Sequence, residues 1–249
     1  MRAFPPAREA TGGDRTRQRR AVCLHSAPVS KYRAVVFDID GTLLATDAFW
    51  LDVGRRGVTA VYSRHQVRRA LPEDHLFLEA IGRPMKEFWE HVLPPDLHHL
   101  GDEVEAECEE LEEAAFAAGK GAFYPGARAL LQELDAAGTW IGLASNCSRR
   151  YLESFLSAFR LHSLIDEARC AESPGIRSKG QMIAEILTIF QTRDAVMIGD
   201  RESDREAAAA NRIPFILFTG GFGGTIPMPG ETTAKDYAEV RRLLFKQSE

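Results

Sequence analysis

The chain has 249 residues, 45% apolar and 27% charged, with a net charge of −5 at pH 7. That length can bury a sizeable core, and no apolar run approaches the ~20 residues of a membrane span. Residues 1–33 hold eight Lys or Arg against two acids, a balance of +6, and the rest holds 23 against 34, or −11, which argues against a nucleic-acid partner.

Residues 1–30 are Arg-rich, with Pro5-Pro6 and Gly12-Gly13, and read as a disordered basic tail without a secretory apolar segment. Cys23, Cys108, Cys147 and Cys170 have no paired spacing. They support neither a zinc site nor a disulfide framework and fit a reducing, cytoplasmic setting.

The next stretch is Ala34-Val35-Val36-Phe37-Asp38-Ile39-Asp40-Gly41-Thr42. An apolar run stopped by Asp and Gly predicts a buried parallel strand. In open α/β sheets the carboxyl ends of such strands face the ligand crevice, although Asp and Gly there also suit a plain turn. Residues 46–123 have helical patterning and little strand character. Asp47 is placed to cap a helix bearing Phe49, Trp50, Val53 and Val58. Pro72, Pro84 and Pro94-Pro95 then separate short helices. After Gly101, the residues Val104, Cys108, Leu111, Ala115 and Phe116 recur through a run of acids that includes Glu105, Glu109, Glu112 and Glu113. That pattern predicts an amphipathic helix with a solvated acidic face. Gly119, Gly121 and Pro125-Gly126 suggest a hinge.

From Pro125 helix and strand alternate. Helices are expected over 127–137, 149–159, 179–190 and 236–245. Strands are expected over 139–144, 195–198 and 213–218, with a further short apolar run at Leu164-Ile165. This alternation predicts an α/β fold, a Rossmann-like doubly wound parallel sheet. Residues 31–45 and 124–249 would form the core and 46–123 an inserted α-helical cap.

Parallel strands would bring Asp38, Asp40, Ser145, Asn146 and Asp200 to one edge, with Asp204 four residues beyond. Gathered carboxylates repel one another unless a cation joins them, and an all-oxygen ligand set suits Mg²⁺ rather than zinc. Lys179 opens its own helix, while the Ser145 hydroxyl and the N–H groups of the next helix start suit a phosphate. A cation, a lysine and a hydroxyl around a nucleophilic carboxylate meet the needs of phosphoryl transfer.

Asp38-Ile39-Asp40-Gly41-Thr42, Ser145-Asn146, Lys179 and Gly199-Asp200-Arg201-Glu202-Ser203-Asp204 together resemble the four ordered motifs of the haloacid dehalogenase-like hydrolase superfamily. Tyr124-Pro125-Gly126 and Gly138 are similar to its phosphoglycolate phosphatase-like branch. The resemblance implies Asp38 as nucleophile and metal ligand, and Asp40 as general acid/base with its carbonyl on the metal. It further implies Ser145, Asn146 and Lys179 on the substrate phosphate, with Asp200 and Asp204 at the metal. The implied reaction is Mg²⁺-dependent hydrolysis of a small phosphorylated metabolite, phosphoglycolate or a similar phosphomonoester, through an aspartyl-phosphate. A phosphomutase of the β-phosphoglucomutase type and a non-catalytic phosphate-binding regulator are the alternatives. The Asp at position 40 favours phosphate chemistry over dehalogenation.

Lys179 is followed by Gly180 where the family has Pro, which leaves Arg177 as a rival. Cys147 reads as packing, Glu202 as an exposed acid and Arg83 as the cap's candidate for a substrate anion. Monomer and homodimer are both open.

Overall fold

The computed structural model describes residues 29–246. Residues 1–28 of the expected tail, with Cys23, lie outside the described residues. The described chain begins beside the last helix, where Ser30 bridges Phe245.

Six parallel strands form the sheet: β1 (Ala34–Phe37), β2 (Trp140–Ser145), β3 (Glu167–Cys170), β4 (Ala195–Gly199), β5 (Phe215–Phe218) and β6 (Thr233–Ala234). Their spatial order is β3-β2-β1-β4-β5-β6. The chain therefore winds outward on one side of β1 and then crosses back to the other, the doubly wound arrangement expected. The reversal lies between β1 and β4, where ligands of such sheets bind.

Successive side chains of a strand face opposite ways, and β1 divides its residues accordingly. Val35 and Phe37 join one core, and Ala34 and Val36 the other. The second core is closed by α7 (Lys179–Ile189) and α8 (Glu202–Asn211) through Met182, Ile183, Ile186, Ala207 and Ala208. The first is closed by α5 (Ala127–Ala136), α6 (Arg149–Ala158) and α9 (Tyr237–Leu244) through residues such as Leu131, Phe155 and Val240.

Between β1 and α5 lie only helices: α1 (Asp47–Arg64), α2 (Asp74–Ala80), α3 (Met85–Val92), a 3-10 turn (Pro95–Leu100) and α4 (Gly101–Ala117). Trp50, Phe77, Phe88 and Trp89 pack edge-on and tilted at their centre. The two strands of chain leading into and out of this insert run side by side. Ala45 N–H donates to Ala122 O at 2.9 Å and Tyr124 N–H to Leu43 O at 3.0 Å.

Several local expectations need correction. The edge strand after α6 is Glu167–Cys170, not the apolar pair Leu164-Ile165, which packs against the core from the preceding loop. An edge strand tolerates charge, and Arg169 pairs there with Glu167 and Glu185. Asp47 is the first residue of α1 and not its cap; Thr46 holds the cap position. The acidic face of α4 is not wholly solvated, because Glu112 is buried and Glu105 is partly so.

Candidate active site

The carboxyl ends of β1 and β4 lie side by side, with Phe37 in register with Ile198. The next residues, Asp38 and Asp200, are 1% and 2% exposed, too enclosed for ordinary turn acids. One carboxylate oxygen from each of Asp38, Asp200 and Asp204 falls within 4.8 Å of the others. Lys179, the first residue of α7, reaches into the group from the neighbouring crossover. Its Nζ is 2.6 Å from Asp204 Oδ1 and 3.0 Å from Asp38 Oδ1. Arg177, its rival, is exposed and outside the cluster.

The electrostatics of this group are unbalanced. Burial, then Asp38 and Asp204, push the Asp200 carboxyl well above the ordinary carboxylate range. Burial works against the Lys179 charge, but Asp204 and Asp38 outweigh it and hold the ammonium firmly protonated. One lysine faces three carboxylates, and Asp38 Oδ2 and Asp200 Oδ2 are buried without a hydrogen-bond partner. Two orphaned carboxyl oxygens in so tight a cluster of acids fit a hard divalent cation with oxygen ligands. Asp204 is differently engaged. Its Oδ1 accepts from Lys179, and its Oδ2 accepts from the Arg201 N–H at 3.0 Å, capping α8.

Backbone fits closely around Asp200. Gly41 has φ +78°, and a Cβ there or at Gly221 would run into the Asp200 carboxylate. Only glycine allows both the left-handed turn and this approach.

Asp40 points away from the other acids into a cleft between core and insert. Its Oδ1 accepts from Thr46 Oγ at 2.5 Å and from Tyr151 OH at 2.6 Å. Burial and the Asp38 charge raise its pKa to about 6, with Thr46, Tyr151 and Lys179 pulling the other way. Thr46 and Tyr151 were not foreseen from sequence. Thr46 follows the strand motif closely enough to be a candidate, but nothing in sequence ties α6 to Asp40.

Ser145 closes β2, buried, with Oγ accepting only a long bond of 3.4 Å from the Cys147 N–H. The helix cap is instead Ser148, which accepts from the Tyr151 N–H at 3.1 Å. One N–H of the Asn146 amide donates from Nδ2 to Gly82 O of the insert at 3.0 Å, which leaves its second N–H for another acceptor. Cys147 is buried and its thiol pushed well up by that burial, unsuited to a nucleophile. Glu202 is exposed and paired with Arg205. Arg83 is exposed but does line the cleft, with Asp40, Thr46, Trp50, Ile81, Phe88, Glu105, Glu112 and Tyr151 among its neighbours.

Comparison with known proteins agrees with this arrangement. Residues 35–218 match the family model described as haloacid dehalogenase-like hydrolase. The tyrosine-protein kinase PtkA of Mycobacterium tuberculosis is 27% identical over 206 residues, 80% of this chain. The chain spans only 66% of the length of that relative. Among solved structures, a protein from Lactobacillus plantarum assigned as a phosphoglycolate phosphatase superposes with a TM-score of 0.72 at 18% identity, covering 86% of this chain and 99% of the other. CbbY from Rhodobacter sphaeroides, solved with phosphate, gives 0.66 at 19% identity over 84% and 96%. A haloacid dehalogenase-like protein from Streptococcus pneumoniae gives 0.69 at 19% identity over 86% and 98%. These likenesses share the fold, and the family match spans both acid-bearing strand ends and the insert between them: the chain belongs to the haloacid dehalogenase-like hydrolases.

Proposed function

We propose that this hydrolase is a Mg²⁺-dependent phosphatase acting on a small phosphomonoester through an aspartyl-phosphate on Asp38. The observation that carries the reading is Asp38 itself. Lys179 holds one of its oxygens while the other is buried and unbonded, as is an oxygen of Asp200 in the same acid cluster.

Asp38, Asp200 and the Asp40 backbone carbonyl would hold the cation, which would neutralise phosphate charge and the repulsion among the acids. Asp204 supports them from behind by fixing Lys179. Asp38 attacks phosphorus as a carboxylate, and the bond to the leaving alcohol oxygen breaks as the new one forms. Lys179 and Ser145 receive phosphoryl oxygens. Asp40, poised near 6, gives its proton to the departing alkoxide. As a carboxylate it then takes a proton from the water that attacks the phosphoryl group, which releases phosphate and restores Asp38. Residues 46–123 act as the cap that shuts water out, and Asn146 ties that cap to the phosphate loop through Gly82. The buried, unbridged thiols of Cys108, Cys147 and Cys170 favour a reducing, cytoplasmic setting, and among the described residues no helix is long and apolar enough to cross a membrane.

The test is phosphate release from a panel of phosphorylated metabolites with Mg²⁺ present. Chelation by EDTA should abolish turnover and excess Mg²⁺ restore it. Mg²⁺ should also raise the melting temperature of the metal-free protein, since it binds only the folded acid cluster. Undiminished turnover in EDTA would contradict the reading.

Asp40 gives a finer check. The Tyr151 hydroxyl donates to its carboxylate form and so lowers its pKa. Tyr151→Phe should therefore move the acid limb of the kcat profile to higher pH. A limb that stays in place or moves down would remove Asp40 from proton transfer.

A further inference from the structure

The leaving-group end of the cleft has an unusual charge. It is a narrow cleft that opens to solvent. Asp40 and Tyr151 line it together with Glu105 and Glu112 of α4 and the aromatic side chains of Trp50 and Phe88.

Four of the other acids of α4 have cations of their own, and the remaining two, Asp102 and Glu110, are exposed to water. Glu103 and Glu107 pair with Arg64, and Glu109 and Glu113 with Arg150. Glu105 and Glu112, seven residues apart and so on one helix face, pair with no Lys, Arg or His among the described residues. Each is held only by an indole N–H, Glu112 by Trp50 and Glu105 by Trp89 at 2.6 Å. Glu112 is 7% exposed. Burying carboxylates without a countercharge is costly, and burial pushes both up, Glu105 to about 7. The one basic side chain of the lining, Arg83, is exposed at the rim, where its Nε donates to Glu79 O at 3.3 Å.

We propose that Glu105 and Glu112 receive a cationic nitrogen, so that the substrate is the phosphomonoester of an amino alcohol. This rests on the phosphatase reading of the Asp38 site and deepens it. The phosphate would lie at Lys179 and the ammonium against the two glutamates, with Trp50 and Phe88 adding aromatic surface of the kind that attracts cations. A carboxylate-bearing ester such as phosphoglycolate would place its anion against the same acids and be repelled.

The experiment compares kcat/KM of the full-length protein with Mg²⁺ on phosphoethanolamine, phosphoglycolate, glycerol phosphate and p-nitrophenyl phosphate. Phosphoethanolamine should exceed phosphoglycolate and glycerol phosphate at least about tenfold. The phosphoethanolamine-to-phosphoglycolate ratio should fall about tenfold in Glu112→Gln and in Glu105→Gln. The second variant alters the more accessible side chain and serves if the first fails to fold. Equal or better use of phosphoglycolate or glycerol phosphate overturns the proposal, as does an unchanged ratio in a folded variant. Hydrolysis of p-nitrophenyl phosphate without any ammonium preference removes this inference alone. Failure on all four esters removes the phosphatase reading and this one with it.

Discussion

Asp38→Asn should lower turnover by at least roughly 10³-fold, the scale on which removal of a covalent nucleophile acts in other hydrolases, while the fold persists. Asparagine fills the same space at the end of β1, where the residue is 1% exposed, so packing has no reason to change. What is lost is the charge that would attack phosphorus. The stability effect has the opposite sign to the catalytic one. Asp38 is among the charges that raise the Asp200 and Asp40 carboxyls, so its neutralisation relieves repulsion in metal-free protein. Its ion pair with Lys179 is lost at the same time, but Lys179 retains the shorter bond to Asp204. Thermal melting without Mg²⁺ should therefore be unchanged or slightly higher, and steady-state assays on the same sample should read near background. Wild-type turnover in the folded variant would remove Asp38 from the chemistry.

The four inner strands were legible because a strand buried on both faces is apolar throughout, as Ala34–Phe37 and Ala195–Gly199 are. The edges were not. Glu167-Ala168-Arg169-Cys170 has one strand neighbour and keeps its charges at the rim, and Thr233-Ala234 is too short to leave a pattern. In the site, the meeting of Asp38 and Asp200 followed from strand ends, whereas Lys179 and Asp204, which lie on helices, were placed there by motif order and the family resemblance. Thr46 and Tyr151 on Asp40 did not, since that meeting depends on how α6 packs against the insert. The buried glutamates could have been found. Glu105, Cys108, Glu112 and Ala115 are spaced by three and four residues, so both acids lie on the buried stripe of α4 and not opposite it. The density of acids around them hid the two that differ.

Lys179→Met should be the most damaging single change to the fold at this site. The ammonium is 3% exposed as a side chain and is the only Lys, Arg or His ion-paired with Asp38 or Asp204 among the described residues. Methionine can fill the volume but leaves two buried carboxylates with no countercharge and Asp200 beside them. Breaking a buried pair in this way costs about 3–5 kcal/mol. The lysine's folded pKa is raised above its unfolded value, so its stabilisation is fully present below that unfolded value, ~10.5, and covers the whole neutral range. Without it, the carboxyls in the folded state hold protons more tightly than in the unfolded chain, and stability then falls as pH rises. Urea unfolding without Mg²⁺ should accordingly show a deficit near the top of that range at pH 8 and a smaller one at pH 5. Mg²⁺ should recover part of the loss by supplying positive charge to Asp38 and Asp200, but not the activity, because the phosphoryl oxygens would lack the Lys179 donor, a loss worth about 10²–10³ in kcat. Wild-type stability of Lys179→Met at pH 8 would mean that the lysine does not carry the charge of this cluster, and the same result would weaken its assignment to the phosphate.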